Sequence, residues 1–476
     1  MKNLENNNLD KWYYKDTFFK FIILVVCLLM AVLLMYSCDD FVEVDIPNSQ
    51  LTAKGVFEEK STADAAMSDI YSKIRDGGLL TGSATGLSHV LGNYADELDY
   101  YGNPQNETAE FYYNSLIATN PQIKRLWDNS YNQIYAANAV IEGVENSVNL
   151  PAIDHDKLKG EALFVRALIH FYLANLYGDI PYVTTTDYVQ NQHVSRIPIV
   201  DIYNSIRTDL EEARQLLPED YVVADRTRPN KFTVHALLAR LNLYAGLWEE
   251  ASNDASVVLN NTALYVSEQD LDKIFLKESA STIWQLAPAY SGGNALESGT
   301  FNFTMGPPPL SALSSDLMMA FTVGDLRKVH WTKAVGDGST VWYHSFKYKY
   351  DNTGSSFEYS IIFRLGEMYL IRAEARAHSG DLFGAKEDLN VIRSVAGLEN
   401  TSALTQDEIL EAILRERRLE LFTEFGHRFF DLKRFNMIQP ILSAIKPGWD
   451  AHDALFPIPE AELNLNPNLQ PQNQGY

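Results

Sequence analysis

Cysteine is scarce in this chain, and the scarcity restricts how the protein can be stabilised. Only two of the 476 residues are cysteines, and Cys27 lies inside the apolar run of residues 21–35. Lysines precede that run, and small Ser37 and Cys38 follow it, which is the order of a secretory signal. Cleavage before Cys38 would leave one cysteine and no possible intrachain disulfide. We therefore predict that residues 1–37 are a lipoprotein signal peptide and that Cys38 is the lipidated residue.

The apolar run has a second interpretation. Residues 21–37 are close to the shortest segment that spans a bilayer, for which about 20 apolar residues are typical. Bulky Met35 and Tyr36 also make an imperfect cleavage site. An uncleaved signal anchor is therefore the alternative to lipidation. Acidic residues follow Cys38 and begin a segment, 38–60, that we predict to be a stalk between the membrane and the folded protein.

Basic residues are in the minority, because 39 lysines and arginines face 62 aspartates and glutamates. The formal net charge of −23 repels the phosphate backbone on which most nucleic-acid affinity depends, so the composition argues against a nucleic-acid partner. The hydrophobic fraction of 46% and the aromatic fraction of 12% are those of a packed protein. The length beyond the signal is enough for more than one subdomain.

Familiar catalytic and cofactor motifs are missing. The sequence contains no GxSxG, GxxxxGK[ST], HExxH or CxxC, and its ten histidines have no metal-ligand spacing. Residues 443–446 fit SxxK, but no supporting motif accompanies them. We therefore predict no cofactor, no metal site and no catalytic residue. Acidic residues are abundant, and a glycosidase pair is defined by its separation in space, so a surface glycosidase stays open as an alternative.

Apolar residues recur at helical spacing through most of the chain, which predicts a mainly α fold. Helical patterns begin near Ser61 and near Trp127, and two more occupy residues 158–177 and 199–217. Residues 79–119 lack the pattern and combine glycines with several tyrosines. A connection of that length and composition is more often functional than a plain linker, so we predict that it is a ligand-facing loop.

Two segments match when they are aligned on a glycine. Residues 239–251 (ARLNLYAGLWEEA) and 373–385 (AEARAHSGDLFGA) both have alanine seven positions before the glycine and five after it, with a large apolar residue two after it. This is the spacing of a tetratricopeptide-like helix pair, in which small residues let two helices approach and the glycine turns the chain. We therefore predict a scaffold of helix pairs that turn at Gly246 and Gly380.

A different kind of sequence interrupts the helices. Thr282 to Pro288 alternate like a short strand, and glycines, three consecutive prolines and scattered aromatic residues follow. Loops held by a rigid scaffold are a common location for binding sites. We predict a loop-rich ligand-binding lobe at residues 281–360, inserted between helical regions at 61–280 and 361–476.

Charged residues of both signs are concentrated in the helical pattern of residues 409–434, which favours a network of ion pairs over a basic patch. The pattern predicts an apolar stripe that includes Arg417 and Arg428 together with Leu410, Leu414, Leu421 and Phe425. We therefore predict that Arg417 is partly buried against carboxylates such as Glu374 or Glu420.

Motifs spaced along nearly the whole chain after the signal are CDDFVE (38–43), GEALFVRA (160–167), YGDIP (177–181), FRLGEMYLIRAEA (363–375), LNVIR (389–393), RERRLEL (415–421), GHRFFDLKR (426–434), FPIP (456–459) and QNQGY (472–476). Together with the lipobox-like start and with Trp127, Tyr131, Ile134 and Asn138, they resemble the SusD/RagB family of outer-membrane lipoproteins from Bacteroidetes. The resemblance implies a tetratricopeptide-like helical scaffold that carries a loop-rich ligand lobe. This agrees with the helical patterns described above.

The resemblance also implies a function. It implies a lipid-anchored protein of the outer membrane that is exposed at the cell surface and has no catalytic activity. Such a protein captures an oligosaccharide or polysaccharide and delivers it to a SusC-like TonB-dependent transporter. A protein that binds another nutrient, such as peptide, is the alternative.

A glycan site needs flat aromatic side chains and a few amide or carboxylate partners, because sugar rings present apolar C–H faces between their hydroxyl groups. The two loop-rich regions contain such residues. The candidates are Tyr100, Tyr101 and Asn103 in the loop of residues 79–119, called here the first loop, and Tyr290, Asn294 and Trp342 in the lobe of residues 281–360. We expect the aromatic members to form one platform that binds an oligosaccharide longer than a disaccharide.

Overall fold

The computed structural model describes residues 18–30, 53–351 and 354–476. The chain divides into two units, Met1–Thr52 and Ala53–Tyr476. In the first unit, residues 18–30 are helical and are numbered α1. No helix within the described ranges is both long and apolar enough to cross a bilayer. Cys38 lies outside the described residues, so its lipidation stays a prediction.

The unit Ala53–Tyr476 is mainly helical, which confirms the predicted fold class. Its helices, in chain order, are α2 (Ala53–Val56), α3 (Lys60–Gly77), α4 (Leu87–Tyr94), α5 (Glu107–Tyr112), α6 (Pro121–Glu145), α7 (Ala152–Tyr177), α8 (Tyr188–Asn191), α9 (Ile199–Leu216), α10 (Lys231–Tyr244), α11 (Trp248–Leu259), α12 (Leu296–Phe301), α13 (Ser315–Ala320), α14 (Leu326–His330), α15 (Leu365–His378), α16 (Leu382–Val395), α17 (Gln406–Glu420), α18 (His427–Arg434), α19 (Ile438–Ile445) and α20 (Glu460–Leu465). Short 3₁₀ helices occupy Ala451–Ala454 and Pro467–Leu469.

The strands are short and pair as three antiparallel, two-stranded sheets. They are β1 (Leu98–Tyr100), β2 (Thr282–Leu286), β3 (Ser311–Leu313), β4 (Thr332–Gly336), β5 (Val341–Ser345) and β6 (Ser360–Arg364). The pairs are β1 with β3, β2 with β6 and β4 with β5. The predicted strand in residues 282–288 is confirmed and ends at Leu286, two residues before Pro288.

Helix α7 lies at the centre of the helical part of the molecule. Every residue from Gly160 to Tyr177 is buried, because the helix packs between α6 and α9, and its buried Arg166 is paired with Asp209 of α9. Helix α6 begins with Pro121 behind Asn120, whose side-chain oxygen accepts hydrogen bonds from the backbone N–H groups of Gln122 and Ile123 at 2.8 and 3.1 Å. This capping fixes where the long helix α6 starts.

The predicted helix pairs are present as α10–α11 and α15–α16. Gly246 and Gly380 make the turns with φ of +72° and +86°, a backbone conformation that glycine adopts without the steric cost of a Cβ. The two pairs also pack on each other through α11 and α15. At that contact the rings of Trp248 and His378 stack with centroids 3.9 Å apart. The helical scaffold is therefore built as the glycine alignment predicts.

Residues 281–360, called here the second lobe, contribute to a hydrophobic cluster that is separate from the main core of the helices. It includes Leu317 and Trp331 of the lobe, Leu98 of the first loop and Phe422 from the C-terminal helices. The helices outside residues 281–360 are called the helical lobe. The compact unit contains both lobes, and the residue boundaries proposed for them stay predictions.

Two expectations from the sequence are wrong in detail. Residues 79–119 are not free of helix, because they contain α4 and α5, and every residue of α4 is buried. The buried side of α17 is formed by Ile409 and Ile413, whereas Leu410 and Leu414 are only partly buried.

The predicted burial of Arg417 is confirmed, but its partner differs from the predicted carboxylates. Its Nε donates to Asp431 Oδ2 at 2.7 Å, and neither Glu374 nor Glu420 takes that place. Glu374 instead accepts from Arg434 of the same helix as Asp431. The ion-pair network predicted for this region is therefore present with different pairings.

Candidate ligand-binding site

Tyr101 and Trp342, predicted from two distant parts of the sequence, lie together on the surface. Their ring centroids are 6.4 Å apart and the ring planes are nearly perpendicular, at 88°. Tyr101 is 43% exposed, and Trp342 is partly exposed. Both rings line a groove of about 370 Å³, whose other walls include Asp99, Met318, Met319, Lys328, Val341 and Tyr343.

Backbone hydrogen bonds position Tyr101 in this groove. It directly follows β1, which pairs with β3 of the second lobe in the register Leu98 to Leu313 and Tyr100 to Ser311. The backbone N–H groups of Tyr101 and Gly102 both donate to the carbonyl of Leu310, at 2.8 and 3.1 Å. The aromatic ring is therefore presented by a segment whose backbone is already held.

Trp342 is positioned by a hairpin and by a glycine beneath its ring. It lies on β5 opposite Val335 of β4. A Cβ added to Gly306 would meet Trp342 Cζ3 at 2.1 Å, a distance that real Cβ contacts do not show. The indole therefore packs directly on the backbone at Gly306, which only glycine permits at this separation.

Polar groups accompany the two rings. Asp99 accepts a weak hydrogen bond of 3.4 Å from the Tyr112 hydroxyl, and Lys328 Nζ donates to the carbonyl of Met318 at 3.1 Å. Burial and the neighbouring Asp99 carboxylate raise the pKa of Tyr101 above its ordinary value. They raise the pKa of Tyr112 to about 12. Both phenols therefore stay protonated at neutral pH. Tyr101 presents its hydroxyl at the groove, whereas the hydroxyl of Tyr112, which does not line the groove, donates to Asp99.

Tyr100 and Asn103 shape the first loop and do not line the groove. The Tyr100 hydroxyl donates to the backbone carbonyl of Asn103 at 3.0 Å, and its ring lies 6.3 Å from that of Tyr112. The side-chain oxygen of Asn103 accepts from the backbone N–H of Gln105 at 2.9 Å. These contacts keep the loop folded back on itself beside Tyr101.

Tyr290 lines a different cavity, so the expected single platform joins only Tyr101 and Trp342. That cavity of about 150 Å³ also includes Arg75 and Asp76, and it shares no lining residue with the groove. Tyr290 is 58% exposed at its mouth. The structure therefore offers one aromatic pair and one separate tyrosine.

Asn294 is buried and holds a loop. Its Nδ2 donates to the carbonyls of Asp351 and Ser355 at 2.8 and 3.0 Å. Its Oδ1 accepts from the backbone N–H groups of Phe357 and Glu358 at 2.7 and 3.0 Å. These bonds use the amide to hold the loop. Asn294 also lines the cavity of Tyr290, so its contact with a ligand stays a prediction.

Sequence reasoning missed the groove residues that come from around α13 and α14, among them Met318, Met319 and Lys328. No local pattern marks them, because they reach the groove only through the pairing of β1 with β3. Tyr343 and Val341 had a signal that could have been used, since they flank Trp342 on one strand. Within the described ranges no group of three or more His, Cys, Asp or Glu residues could hold a metal ion.

Comparison with protein families matches two parts of the chain. Residues 81–243 match a family model described as "Starch-binding associating with outer membrane". Residues 332–476 match the model of the SusD family. Together the two matches include the first loop, most of the helical lobe and the hairpin that carries Trp342.

Individual relatives agree with the family matches. SusD-like protein P2 of Formosa agariphila is 26% identical over 515 residues, covering 95% of this chain and 99% of the relative. The starch-binding protein SusD of Bacteroides thetaiotaomicron is 30% identical over 177 residues, covering 34% of this chain and 28% of the relative.

Solved structures show the same fold. A SusD superfamily protein from Bacteroides vulgatus superposes with a TM-score of 0.76 at 21% identity, covering 88% of this chain and 99% of the other. A laminarin-binding SusD-like protein superposes with a TM-score of 0.72 at 22% identity, with the same coverage of both chains. The relatives whose names state an activity are named for binding and not for catalysis.

Proposed function

The chain belongs to the SusD/RagB family, and from that premise we propose that it is a glycan-binding protein of the outer membrane that holds an oligosaccharide in the groove of Tyr101 and Trp342. The observation that carries the proposal is the exposed aromatic pair that two distant loops bring together. Aromatic faces are suited to the C–H faces of sugars. The flanking Asp99 and Lys328 supply an acceptor and a donor for hydroxyl groups.

The dimensions of the groove support a ligand of several sugar units. Its volume of about 370 Å³ is at the lower end of the range for small-molecule sites, so part of a longer chain extends beyond it. A shallow groove gains affinity with each additional ring contact. The ligand is therefore an oligosaccharide longer than a disaccharide, bound with modest affinity.

The proposal extends to delivery. A protein that hands cargo to a transporter must release it, which is consistent with a shallow and open groove. We propose a SusC-like TonB-dependent transporter as the partner, because the family resemblance implies one. A tagged form of the transporter from the same organism should co-purify with this protein from outer membranes, and separate elution of the two would oppose a stable complex.

The binding site is tested by calorimetry. Wild type is first screened against neutral oligosaccharides, including maltoheptaose and laminarihexaose, which are fragments of the polysaccharides for which two relatives are named. Tyr101→Ala and Trp342→Ala should each weaken binding by about fivefold, since an aromatic contact contributes on the order of 1 kcal/mol. Tyr188→Ala is the matched control, because Tyr188 is 75% exposed and does not line the groove.

Each alternative predicts a different result. Equal affinities of wild type and both groove variants would exclude this groove. A loss of binding in Tyr290→Ala alone would move the site to the cavity beside Arg75. Release of reducing ends during the titration would favour the surface glycosidase. Binding of peptides but of no glycan would favour the non-carbohydrate nutrient.

Anchoring is tested separately through Cys38. Cys38→Ser should give a folded protein that leaves the membrane fraction, because the acylated residue is removed while residues 53–476 are unchanged. Retention of the variant in membranes after a carbonate wash would show that the apolar segment is a spanning anchor.

A further inference from the structure

A second groove lies on the helical lobe, away from the aromatic pair. It has a volume of about 600 Å³ and runs between helix α6, the segment 181–194 that follows α7, and the C-terminal residues 462–469. It shares no lining residue with the groove of Tyr101 and Trp342. The family matches and the proposed function assign nothing to it.

Tyr135 is the most accessible aromatic side chain in this groove. It is 51% exposed, and its ring and hydroxyl contact no aromatic, cationic or hydrogen-bonding partner in the described part of the chain. Asn132 precedes it by three residues, is exposed, and has an amide that is equally free among the described residues. Residues three apart lie on the same side of a helix, so a ring face and a free amide are presented together.

The polar atoms at the floor of the groove are already hydrogen-bonded within the protein. Tyr131 packs on buried Trp127 with ring centroids 4.8 Å apart, and its hydroxyl donates to the carbonyl of Pro181 at 2.9 Å. Asn466 donates to the carbonyl of Val194 at 2.8 Å and accepts from the backbone N–H of Asn468 at 3.1 Å. The polar atoms at depth are therefore used internally, and those left for a ligand are at the rim.

The opposite wall supplies further acceptors. Asn191 Nδ2 donates to the carbonyl of Thr185 at 2.7 Å, which fixes the side chain while its Oδ1 accepts no bond from the described residues. Gln192 beside it is exposed. Gln192 Nε2 donates weakly to the carbonyl of Val189 at 3.4 Å, so this wall mainly offers the amide oxygens of Asn191 and Gln192 as acceptors, while Asn132 on the other wall offers both a donor and an acceptor. This combination suits hydroxyl groups, since each hydroxyl both donates and accepts.

The charge of the rim restricts the ligand further. Asp128 and Glu462 both line the groove and pair with Lys124 at 2.5 and 3.5 Å, and among the described residues no lysine or arginine lines the groove itself. The excess of negative charge disfavours sulfated or uronic-acid sugars through like-charge repulsion. A neutral sugar meets no such penalty.

We propose that this groove on the helical lobe is a second binding site for a neutral oligosaccharide, with Tyr135 as its stacking face and Asn132, Asn191 and Gln192 as its hydrogen-bonding groups. The nature of the ligand rests on the proposed function, whereas the location does not. Two sites on one molecule would raise the apparent affinity for a long polysaccharide that spans both.

The experiment separates the two grooves. Calorimetry and NMR titration compare wild type, the double variant Tyr101→Ala/Trp342→Ala, and the triple variant that adds Tyr135→Ala. Each protein is titrated with the panel of neutral oligosaccharides that includes maltoheptaose and laminarihexaose. The double variant should retain one binding event, with resonances that shift at α6. Tyr135→Ala should weaken that event by about fivefold, and Phe383→Ala, which removes an exposed aromatic side chain of α16 outside the groove, should leave it unchanged.

The outcomes distinguish this inference from the proposed function. If no member of the panel binds wild type, the proposed function fails and this inference fails with it. If wild type binds one ligand per molecule and the double variant binds none, the second site is excluded while the first stands. If Tyr135→Ala leaves glycan binding unchanged and instead abolishes co-purification with the transporter, the groove is a protein interface and the proposal is wrong. Circular dichroism of each variant checks that it is folded.

Discussion

Asp431 of the helical lobe and Glu297 of the second lobe are both buried, but their charges are compensated in different ways. In the helical lobe, Asp431 accepts from Arg417 Nε at 2.7 Å and from Arg434 Nη2 at 2.8 Å. Burial alone would raise the pKa of Asp431, but the two guanidinium groups hold it below its ordinary value. In the second lobe, Glu297 receives a hydrogen bond from the hydroxyl of Ser360, and burial raises its pKa to about 7.

Glu358 of the second lobe resembles Glu297. It accepts from the backbone N–H groups of Lys349 and Tyr350, at 2.9 and 3.0 Å, and burial still raises its pKa to about 7. Hydrogen bonds from neutral groups compensate buried charge less than a guanidinium does. Asp431 of the helical lobe is therefore held by ion pairs that persist at neutral pH, whereas Glu297 and Glu358 of the second lobe titrate near it.

Removing a buried cation from the helical lobe should have the largest effect. Arg417→Ala should lower the free energy of unfolding by about 3 kcal/mol, because it leaves a buried carboxylate short of a partner. A loss of about 3 kcal/mol is at the lower end of the range for breaking a buried ion pair, since Asp431 keeps its bonds to Arg434. Urea denaturation followed by tryptophan fluorescence measures the change.

Arg415 provides the control for this prediction. It lies on the same helix, its side chain is 59% exposed, and its nearest carboxylate oxygen, on Glu411, is 3.5 Å away. Arg415→Ala should change the free energy of unfolding by less than about 1 kcal/mol. If both substitutions change the free energy of unfolding equally, the buried ion pair of Arg417 contributes no more to stability than the exposed Arg415.

Neutralising Glu297 should change how stability depends on pH. A carboxyl with an ordinary pKa of 4.5 and a folded pKa of about 7 contributes fully to stability below pH 4.5, and that contribution is lost as pH rises towards 7. Glu297→Gln should therefore be more stable than wild type at pH 8, by roughly 3 kcal/mol at most, since one pKa unit corresponds to about 1.36 kcal/mol. At pH 4 the difference should be smallest.

The pH series needs a control with an exposed carboxyl. Glu278 serves this purpose because its side chain is 75% exposed, and Glu278→Gln should follow the wild-type curve. Parallel curves for wild type and Glu297→Gln from pH 4 to 8 would show that Glu297 ionises normally in the folded protein. Glu297 would then not differ from Asp431 in being ionised at neutral pH.

A methyl group at Gly306 should have the smallest effect, and it should act on binding. Gly306→Ala would bring a Cβ within 2.1 Å of Trp342 Cζ3, so the partly exposed indole must move. We expect glycan affinity to fall by several-fold, equivalent to about 1 kcal/mol or less, with little loss of stability. Gly77→Ala is the control, since its Cβ meets only Asn129 Nδ2 at 3.4 Å. Unchanged affinity in Gly306→Ala would mean that the orientation of Trp342 does not matter.

The helical lobe is the part that sequence patterns predict well. The alanine and glycine spacing around Gly246 and Gly380 reflects contacts between residues close in the chain, and the structure shows both turns with positive φ. Arg417 shows the limit of such patterns. Its burial follows from helical periodicity, but its partner Asp431 lies on the next helix, after a turn whose direction the sequence does not reveal.

The binding groove could be predicted only in part. Tyr101 and Trp342 were identifiable as aromatic residues in loop-rich sequence, but their contact depends on the pairing of Leu98 with Leu313, which are more than two hundred residues apart. Asn294 has a structural role that the sequence does not reveal. An amide in a loop has the chemistry of a sugar contact, yet the sequence does not reveal its four backbone hydrogen bonds, which join it to residue 351 and to residues 355–358.

The pairing of β1 with β3 has an evolutionary consequence. Main-chain atoms alone place Tyr101, through the carbonyl of Leu310 and the ladder from Leu98 to Leu313. Substitutions in this segment can therefore change which side chain is presented without changing where it is presented. The architecture can be kept while these side chains diverge, and solved structures that are 21–22% identical to this chain share its fold.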